Sequence, residues 1–184
     1  MRIVAGRHKG LVLEAPPGET TRPTSERARQ ALFDMLSHGR FRGVLPGAEL
    51  ADLFAGTGAL GLEALSRGAG RAIFVETDRA ALAALAHNIA RTHRQGECEV
   101  IARSATDLPA RKTPVGLVFL DAPYGQGLSA QALASALGRG WIGAQTLVIA
   151  QLDPREDAAW LDEGWTLEED RRHGKARLLI LRRS

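Results

Sequence analysis

One glycine-rich turn constrains the fold of this chain more than any other feature. The turn has the pattern Gly56-x-Gly58-x-x-Gly61, with a short apolar stretch at residues 50–54 before it and a helix-forming run directly after it. Glycines in such a turn adopt positive φ and carry no Cβ, so the backbone can approach a ligand at the positive end of the new helix. The order of strand, glycine turn and helix therefore predicts a nucleotide-binding turn.

Acidic residues near this turn help to identify the ligand. Residues 71–75 read as the next strand and end at Glu76, where a carboxylate can accept both hydrogens of a ribose diol. Asp52 lies just before the turn, and a carboxylate there suits a ligand with an ammonium or hydroxyl group better than a pyrophosphate. The glycine pattern alone also occurs in NAD-binding folds and in purely structural turns. The three features together favour S-adenosylmethionine over NAD.

Helical and strand-like segments alternate along the rest of the chain, which predicts an α/β domain with a mostly parallel sheet. A helix is expected at residues 79–93, and strands are expected at residues 98–102, 115–120 and 146–150. The loop after the third strand contains Ser104 and lies where an adenine ring could rest in such a fold. Ser104 could hydrogen-bond the adenine edge or act only as a local cap.

A second polar turn follows the strand at residues 115–120 and reads Asp121-Ala122-Pro123-Tyr124. Ligand sites in open α/β sheets collect at such strand ends. Asp121 and the carbonyl of Ala122 can accept the two N–H bonds of an exocyclic amine on a base, while Tyr124 stacks on its ring. Accepting both hydrogens turns the nitrogen lone pair toward an incoming methyl group. The turn therefore predicts methyl transfer to an amino nitrogen of a nucleic-acid base.

The N-terminal quarter of the chain has an excess of positive charge. Residues 1–48 contain eight arginines and lysines and four acidic residues, which leaves four of the positive charges uncompensated. Residues 2–4 (Arg-Ile-Val) and 11–13 (Leu-Val-Leu) flank a basic stretch and predict a β-hairpin with a basic tip. Apolar residues at helical spacing between residues 28 and 36 predict a helix that Gly39 closes. Arginine matches phosphate geometry, although a solvated surface accounts for the same charges.

The motifs resemble a known family. Residues 52–61, 74–76 and 121–124 look like the motifs of class I S-adenosylmethionine-dependent amino-methyltransferases. More narrowly, residues 2–6, 22–24 and 61–68 resemble the bacterial 16S ribosomal RNA guanine-N2 methyltransferases, and the resemblance covers nearly the whole chain. One position departs from the family pattern, which usually has Asp-Pro-Pro followed by Tyr or Phe. This chain has Ala122 in place of the first proline.

The resemblance implies a Rossmann-like α/β fold with a seven-stranded, mostly parallel sheet and helices on both faces. The last hairpin, roughly residues 165–169 and 176–181, would supply the antiparallel edge. It also implies two parts, an N-terminal RNA-binding appendage at residues 1–45 and a methyltransferase domain at residues 46–184. The implied reaction is methyl transfer from S-adenosylmethionine to the N2 of a guanine in 16S rRNA. The substrate would be the naked rRNA or the small ribosomal subunit, with or without its proteins.

The site residues that follow from the motifs and the resemblance fall into three groups. The residues expected to handle the base are Asp121, Ala122, Pro123 and Tyr124. The residues expected to bind the cofactor are Asp52, Phe54, Ala55, Gly56, Thr57, Gly58, Gly61, Glu76, Thr77, Ser104, Ala105 and Asp121. The residues expected to contact RNA are Arg2, Arg7, His8, Lys9, Arg22 and Arg27.

Three other functions remain open at this stage. A DNA adenine or cytosine methyltransferase uses a similar acid-proline-aromatic turn, although the chain has no room for a target-recognition insertion. An NAD(P)-dependent oxidoreductase shares the glycine pattern but would need a catalytic Tyr-x-x-x-Lys pair or histidine that is not evident. A non-catalytic RNA-binding or ribosome-assembly protein could keep the fold, and Ala122 is the one residue that supports it.

Composition narrows the setting of the protein. The single cysteine, Cys98, rules out an internal disulfide and a cysteine-cluster metal site, and the five histidines lack ligand spacing, so no metal is expected. No apolar run approaches the roughly 20 residues that a membrane span requires. We therefore expect a cytoplasmic monomer that does not bind membranes.

Overall fold

The computed structural model describes residues 1–16, 26–156, 158, 160–173 and 176–184. Within these residues, seven strands form one sheet: β1 (Glu49–Leu53), β2 (Arg71–Glu76), β3 (Cys98–Ala102), β4 (Leu117–Leu120), β5 (Leu147–Leu152), β6 (Trp165–His173) and β7 (Ala176–Arg183). Four α-helices accompany the sheet: α1 (Glu26–Ser37), α2 (Ala59–Ser66), α3 (Arg79–Thr92) and α4 (Leu128–Gly138). The strand order is β3-β2-β1-β4-β5-β7-β6, which confirms the predicted seven-stranded sheet.

The first five strands are parallel, and β1, β2, β4 and β5 are largely buried on both faces, whereas the edge strand β3 is partly exposed. Strand β1 pairs with β2 on one side and with β4 on the other, and β5 pairs with β4. All four residues of β4 are buried, as are four of the five in β1. Continuous burial of this kind explains why these strands are short apolar runs rather than alternating ones. Because the strands are parallel, their carboxyl ends meet at one edge of the sheet.

The last two strands are antiparallel and extend the sheet, as predicted for the final hairpin. Strand β7 lies between β5 and β6 and pairs antiparallel with both. Both strands are longer than predicted: β6 continues through charged residues to His173, and β7 continues to Arg183. Arg177 on β7 stabilises this extension by binding both carboxylate oxygens of Asp170 on β6, at 3.0 and 2.8 Å. His173, which ends β6, and Ala176, which begins β7, lie at the carboxyl end of the parallel strands.

Helices cover both faces of the sheet and divide the core in two. One hydrophobic cluster joins the sheet to α1, α2 and α3 and includes Phe33, Leu62 and Leu85. The other joins the opposite face to α4 through Ala132 and Leu133. In the described residues, no helix is long and apolar enough to cross a membrane.

The N-terminal segment, residues 1–16, packs on the α1 and α2 side of the sheet. The predicted hairpin is present as a single antiparallel bridge between Arg2 and Val12 rather than as two strands. The segment follows α2 closely: Gly6 has a φ of +80°, and a Cβ there would lie 2.0 Å from the carbonyl oxygen of Ser66. Ile3 and Leu13 are buried in the same cluster as β1 and β4. The proposed division at residues 45 and 46 thus runs through one continuous core.

A buried ion-pair network holds this segment to α2. Glu63 is fully buried and accepts hydrogen bonds from the backbone N–H groups of Val4 and Ala5, at 2.8 and 3.1 Å. Its carboxylate also binds Arg67 at 2.7 Å and lies 3.6 Å from the buried guanidinium of Arg29, which donates in turn to the Arg2 carbonyl. Two cations and two backbone donors therefore surround one carboxylate.

Candidate functional site

Four polar side chains form a row at the carboxyl edge of the sheet. They lie in, or directly after, the adjacent strands β2, β1, β4 and β5 and are, in that order, Glu76, Asp52, Asp121 and Gln151. Each lies two residues after a residue of its strand that packs in the α1 and α2 cluster, namely Phe74, Leu50, Phe119 and Ile149. Because side chains alternate between the two faces of a strand, all four lie on the α1 and α2 face. The row therefore brings together three carboxylates and one carboxamide.

Asp52 is the most deeply buried member of the row, with 1% of its surface exposed. Burial raises its pKa to about 8, and the neighbouring carboxylates of Asp121 and Glu76 act in the same direction. A hydrogen bond of 2.9 Å from the Gly61 N–H to Oδ2 opposes this rise in pKa. Asp52 therefore lies in an environment that disfavours its negative charge and that a cation would relieve.

Backbone N–H groups fix the side chain of Glu76 in place. Its Oε2 accepts a hydrogen bond from Gly56 at 2.8 Å, and its Oε1 accepts from Thr77 and Asp78 at 2.7 and 2.9 Å. The bond to Gly56 ties the glycine turn to the end of β2. The predicted cofactor residues Glu76, Thr77 and Gly56 thus lie together.

The glycine turn between β1 and α2 has the backbone geometry that the sequence predicts. Gly56 and Gly58 have φ values of +53° and +80°, and no atom lies within 4 Å of where a Cβ on Gly56 would be, so a ligand could approach there. Gly61 is required for a different reason, because a Cβ there would lie 2.3 Å from the ring of Phe74. Phe54 also has positive φ, at 64°, which is uncommon for a bulky residue and typical of functional turns.

Hydrogen bonds to β2 and α3 fix two other residues of the turn, Ala55 and Thr57. Ala55 donates to the Val75 carbonyl at 3.0 Å, which joins the turn to β2. The carbonyl of Thr57 accepts a hydrogen bond from the side chain of Asn88 on α3, at 3.0 Å. Thr57 is 5% exposed and Asn88 is fully buried. The conformation of the turn therefore depends on both neighbouring elements.

These features fit the predicted cofactor better than a dinucleotide. S-adenosylmethionine carries an ammonium and a sulfonium, and three adjacent carboxylates would complement those charges. A pyrophosphate would instead be placed against three carboxylates. The open space beside Gly56 leaves room for a ligand at the row. The chemistry of the donor set therefore fits S-adenosylmethionine.

The predicted base-handling turn begins next to Asp52 in the row. Asp121 is half-buried, Ala122 is 3% exposed, Pro123 is exposed and Tyr124 is half-buried. Gln151 of β5 donates from Nε2 to Oδ1 of Asp121 at 2.9 Å. A base that entered beside Tyr124 would thus have the predicted acceptor Asp121 within the same row as the cofactor residues.

The predicted adenine-binding residues follow β3 at the same edge. Ser104 makes local contacts, since its hydroxyl lies 2.8 Å from the Thr106 hydroxyl and accepts from the Thr106 N–H at 3.2 Å. Ala105 is buried in the cluster on the α4 side of the sheet. The local contacts correspond to the capping role considered above, and adenine binding stays a prediction for this loop.

The structure separates the predicted RNA-binding residues into two groups. The backbone N–H groups of Arg7 and His8 bind the carbonyl and hydroxyl of Ser66, so the basic stretch Arg7, His8 and Lys9 lies at the end of α2 farthest from the glycine turn. Arg2 and Arg27 lie beside the start of α1, where Arg2 pairs with Glu26 at 3.0 Å. Helices α1 and α2 run in roughly the same direction, because Arg29 lies beside Glu63 in the middle of α2 and Asp34, further along α1, lies beside Arg67 at its end. Arg2 and Arg27 therefore lie toward the glycine turn and the acid row, the pocket side, and Arg22 lies outside the described residues.

Two residues with contacts in the site were not predicted. Gln151 and Asn88 are polar residues at positions where their elements are otherwise apolar and buried. Asn88 accepts from the Glu14 N–H at 2.8 Å and donates to the carbonyls of Glu14 and Thr57, at 3.1 and 3.0 Å. The sequence signal that could have identified both residues is a polar side chain on the buried face of a helix or strand. It does not reveal the partner.

A family model, two related proteins and one solved structure each match nearly the whole of this chain. The model of the family described as conserved hypothetical protein 95 matches residues 1–182. The ribosomal RNA small subunit methyltransferase D of Escherichia coli K12 is 33% identical over 184 residues, covering 100% of this chain and 90% of that protein. The protein of the same name from Haemophilus influenzae is 31% identical over 178 residues, covering 95% and 89%. The solved structure of the proposed methyltransferase yhhF from Escherichia coli superposes with a TM-score of 0.86 at 32% identity, covering 100% and 98%.

Proposed function

The chain belongs to the conserved hypothetical protein 95 family, and on that premise we propose that it methylates the exocyclic N2 of a guanine in 16S rRNA. The full-length relatives from Escherichia coli and Haemophilus influenzae carry the name of small-subunit rRNA methyltransferases. Methylation of rRNA with S-adenosylmethionine as the methyl donor is the activity that these relatives support. The guanine and its N2 atom are our proposal, drawn from the resemblance described above.

The observation that carries the proposal is the row of acids at the carboxyl edge of the sheet. Its members Glu76 and Asp52 adjoin the glycine turn, and Asp121 begins the base-handling turn on the next strand. Adjacent strands in a sheet are roughly 4.8 Å apart. A cofactor across the first two strands would therefore lie beside a base at the third.

The residues expected around the cofactor have distinct roles in this proposal. Glu76 binds the ribose hydroxyls, Asp52 contributes negative charge under the cationic end, and the backbone at Gly56 lines the ligand. When bound, S-adenosylmethionine supplies a methyl group on a positively charged sulfur, which is a strong electrophile. The same residues would exclude a pyrophosphate-containing cofactor.

Asp121 and the carbonyl of Ala122 act on the acceptor. Each accepts one N–H of the guanine amino group, which directs the nitrogen lone pair toward the methyl group, while Tyr124 stacks on the ring. The guanine has to be unpaired or flipped out to reach this position. Asp121 need not be a strong base, because the methylated amine loses its extra proton readily. The roles of Asp121 are positioning and electrostatic stabilisation.

We further propose that Arg2 and Arg27, on the pocket side, and Arg7, His8 and Lys9, at the far end of α2, contact rRNA phosphates. The protein is proposed to act as a monomer in the cytoplasm. Arginine and lysine side chains bind the phosphate backbone without reading the bases. The substrate is therefore selected by its shape and by access of one base to the pocket.

The experiment is methyl transfer from labelled S-adenosylmethionine to small ribosomal subunits and to naked 16S rRNA, both from cells that lack the endogenous activity. Nucleoside analysis identifies the product, and we expect N2-methylguanosine. Methylated adenine or cytosine would reject the guanine assignment and leave the enzyme class in place. Cofactor binding without any transfer would favour a non-catalytic RNA-binding protein. The better of the two substrates would indicate when the protein acts during subunit assembly.

A further inference from the structure

Gln151 is the fourth member of the row, and its position is fixed on both sides. The preceding residue, Ala150, pairs with Leu120 at the end of β4, and Gln151 itself pairs with Leu178 of β7. Its side chain reaches Asp121, with 2.9 Å between Nε2 and Oδ1. The residue that pairs with it on β7, Leu178, is apolar. A strand held by two ladders therefore presents an amide donor to Asp121.

The row already contains three carboxylates, which restricts what can occupy the fourth position. The carboxylates are close enough for Asp121 and Glu76 to raise the pKa of buried Asp52. A cationic side chain beside Asp121 would neutralise charge that we propose serves the cofactor. A fourth acid at hydrogen-bonding distance would have to share a proton with Asp121, because two adjacent carboxylates do not both ionise readily. An amide donates a hydrogen bond, adds no charge and does not titrate.

We propose that Gln151 is a positioning residue for methyl transfer, which restricts rotation of the Asp121 carboxylate and so directs it toward the amino group of the base. This inference rests on the proposed function and deepens it, because it adds a residue that acts through Asp121. Gln151 is a residue of the buried strand β5, which pairs with β4 on one side and with β7 on the other. A rigid element therefore orients a carboxylate that lies just beyond the end of β4.

The first test replaces the amide by an apolar side chain, Gln151→Leu. We expect kcat for methyl transfer to fall roughly tenfold or more, since a hydrogen bond to a charged group is lost, with KM for S-adenosylmethionine within twofold of the parent. The matched control is Gln145→Leu, at an exposed glutamine just before the other end of β5. Its kcat should equal that of the parent. Thermal unfolding and cofactor binding establish that both variants are folded.

The second test is Gln151→Glu. If residue 151 positions Asp121 by donating a hydrogen bond, kcat of this variant should depend on whether the introduced carboxyl group holds a proton. When the introduced carboxyl group holds a proton, it can donate to Asp121 as the amide does, so this variant should retain activity at lower pH. When that proton leaves, the donor is lost and two carboxylates repel each other. We therefore expect kcat of the variant to fall with rising pH, relative to the parent and to Gln145→Glu, measured at the same pH values.

The outcomes separate this inference from the proposed function. If the parent methylates guanine N2 and both Gln151 variants match it in kcat and in pH profile, Gln151 has no positioning role. If the parent methylates another amino group, the guanine assignment fails, but the same comparison still tests Gln151. If Gln151→Leu lowers kcat while Gln151→Glu gains no pH-dependent decline, the residue contributes packing only and the inference is wrong.

Discussion

Two buried carboxylates, Asp52 and Glu63, are close in sequence but have opposite environments. Glu63 is 0% exposed and accepts from two backbone N–H groups, with the guanidinium groups of Arg29 and Arg67 beside it. Asp52 is 1% exposed, and two further carboxylates act on it. A buried acid with balanced charge holds structure together. A buried acid among other acids indicates a place where a cationic ligand completes the charge balance.

The largest expected effect is on the pH dependence of stability and concerns Asp52, the buried acid that lies among other acids. The folded-state pKa of Asp52, about 8, is above its ordinary value of 3.8, so the folded protein holds a proton that the unfolded chain releases between those values. The contribution of Asp52 to stability is therefore complete below about pH 4 and decreases as the pH rises toward 8, by roughly 1.4 kcal/mol per pH unit. Asp52→Asn should remove this slope.

The measurement is the free energy of unfolding by denaturant at several pH values, without cofactor. The matched control is Asp107→Asn, at an exposed aspartate whose pKa is lowered by the hydrogen bond from Arg103. That control should keep the slope of the parent. Equal slopes for Asp52→Asn and the parent would show that Asp52 is ionised at neutral pH and that its environment is better balanced than we infer.

The next largest effect is expected when Glu63, the buried acid with paired cations, is replaced. Glu63→Gln leaves the buried cation of Arg29 without a counter-charge, and removal of one partner from a buried pair costs roughly 3–5 kcal/mol. The control Glu99→Gln removes an acid that pairs with Arg71 at the surface, where less than about 1 kcal/mol is expected. Chemical denaturation of both variants measures the difference. Similar stability for the two would mean that the network around Glu63 is not required to hold the N-terminal segment.

A third variant concerns function rather than stability. Asp121→Ala should lower the rate of methyl transfer roughly 10²- to 10³-fold, because both positioning and electrostatic stabilisation are lost. Cofactor binding should change little by comparison, and Asp107→Ala, on the loop after β3, serves as the control. Single-turnover assays with saturating cofactor measure the rate. Activity equal to that of the parent would remove Asp121 from the proposed mechanism.

The smallest effect compares basic residues at the two ends of α2. We expect Arg27→Gln, on the pocket side, and Arg7→Gln, at the far end, each to reduce the slope of log binding constant against log salt concentration by roughly one. Filter binding to 16S rRNA over a salt series measures this slope. An unchanged slope for Arg7→Gln would make the far-end stretch a solvated surface and confine the RNA contact to the pocket side.

The sequence predicts the glycine turn and the three acids of the site because each of them follows directly from local order. Parallel strands end at one edge, so acids at Asp52, Glu76 and Asp121 necessarily lie near one another once the strands are assigned. The contact of Gln151 with Asp121 could not be predicted in this way, because it depends on β5 being the neighbour of β4. The partners of Asn88 and the end of α2 that the basic stretch contacts depend on tertiary packing in the same way.

The limits of the fold prediction have equally physical reasons. Strand β6 extends beyond the predicted residue 169 because an edge strand tolerates charged residues, and Arg177 pairs with Asp170 across the hairpin. Helix α4 was not predicted, because its small apolar residues are interrupted by serine and glutamine without a clear polar face. The N-terminal hairpin has a single bridge: the N–H of Ile3 still binds the carbonyl of Leu11 across the hairpin, while those of Val4, Ala5 and His8 bind Glu63 and Ser66 of α2.

The attachment of the N-terminal segment to α2 also has a consequence for folding. Its backbone donors at Val4, Ala5 and His8 find their acceptors 58 or 59 residues later in the chain, and Glu14 meets Asn88 at a separation of 74. Contacts between residues so far apart require closure of a long loop, which slows folding. During synthesis on the ribosome, the apolar residues Ile3 and Leu13 therefore remain uncovered until α2 and α3 have been made.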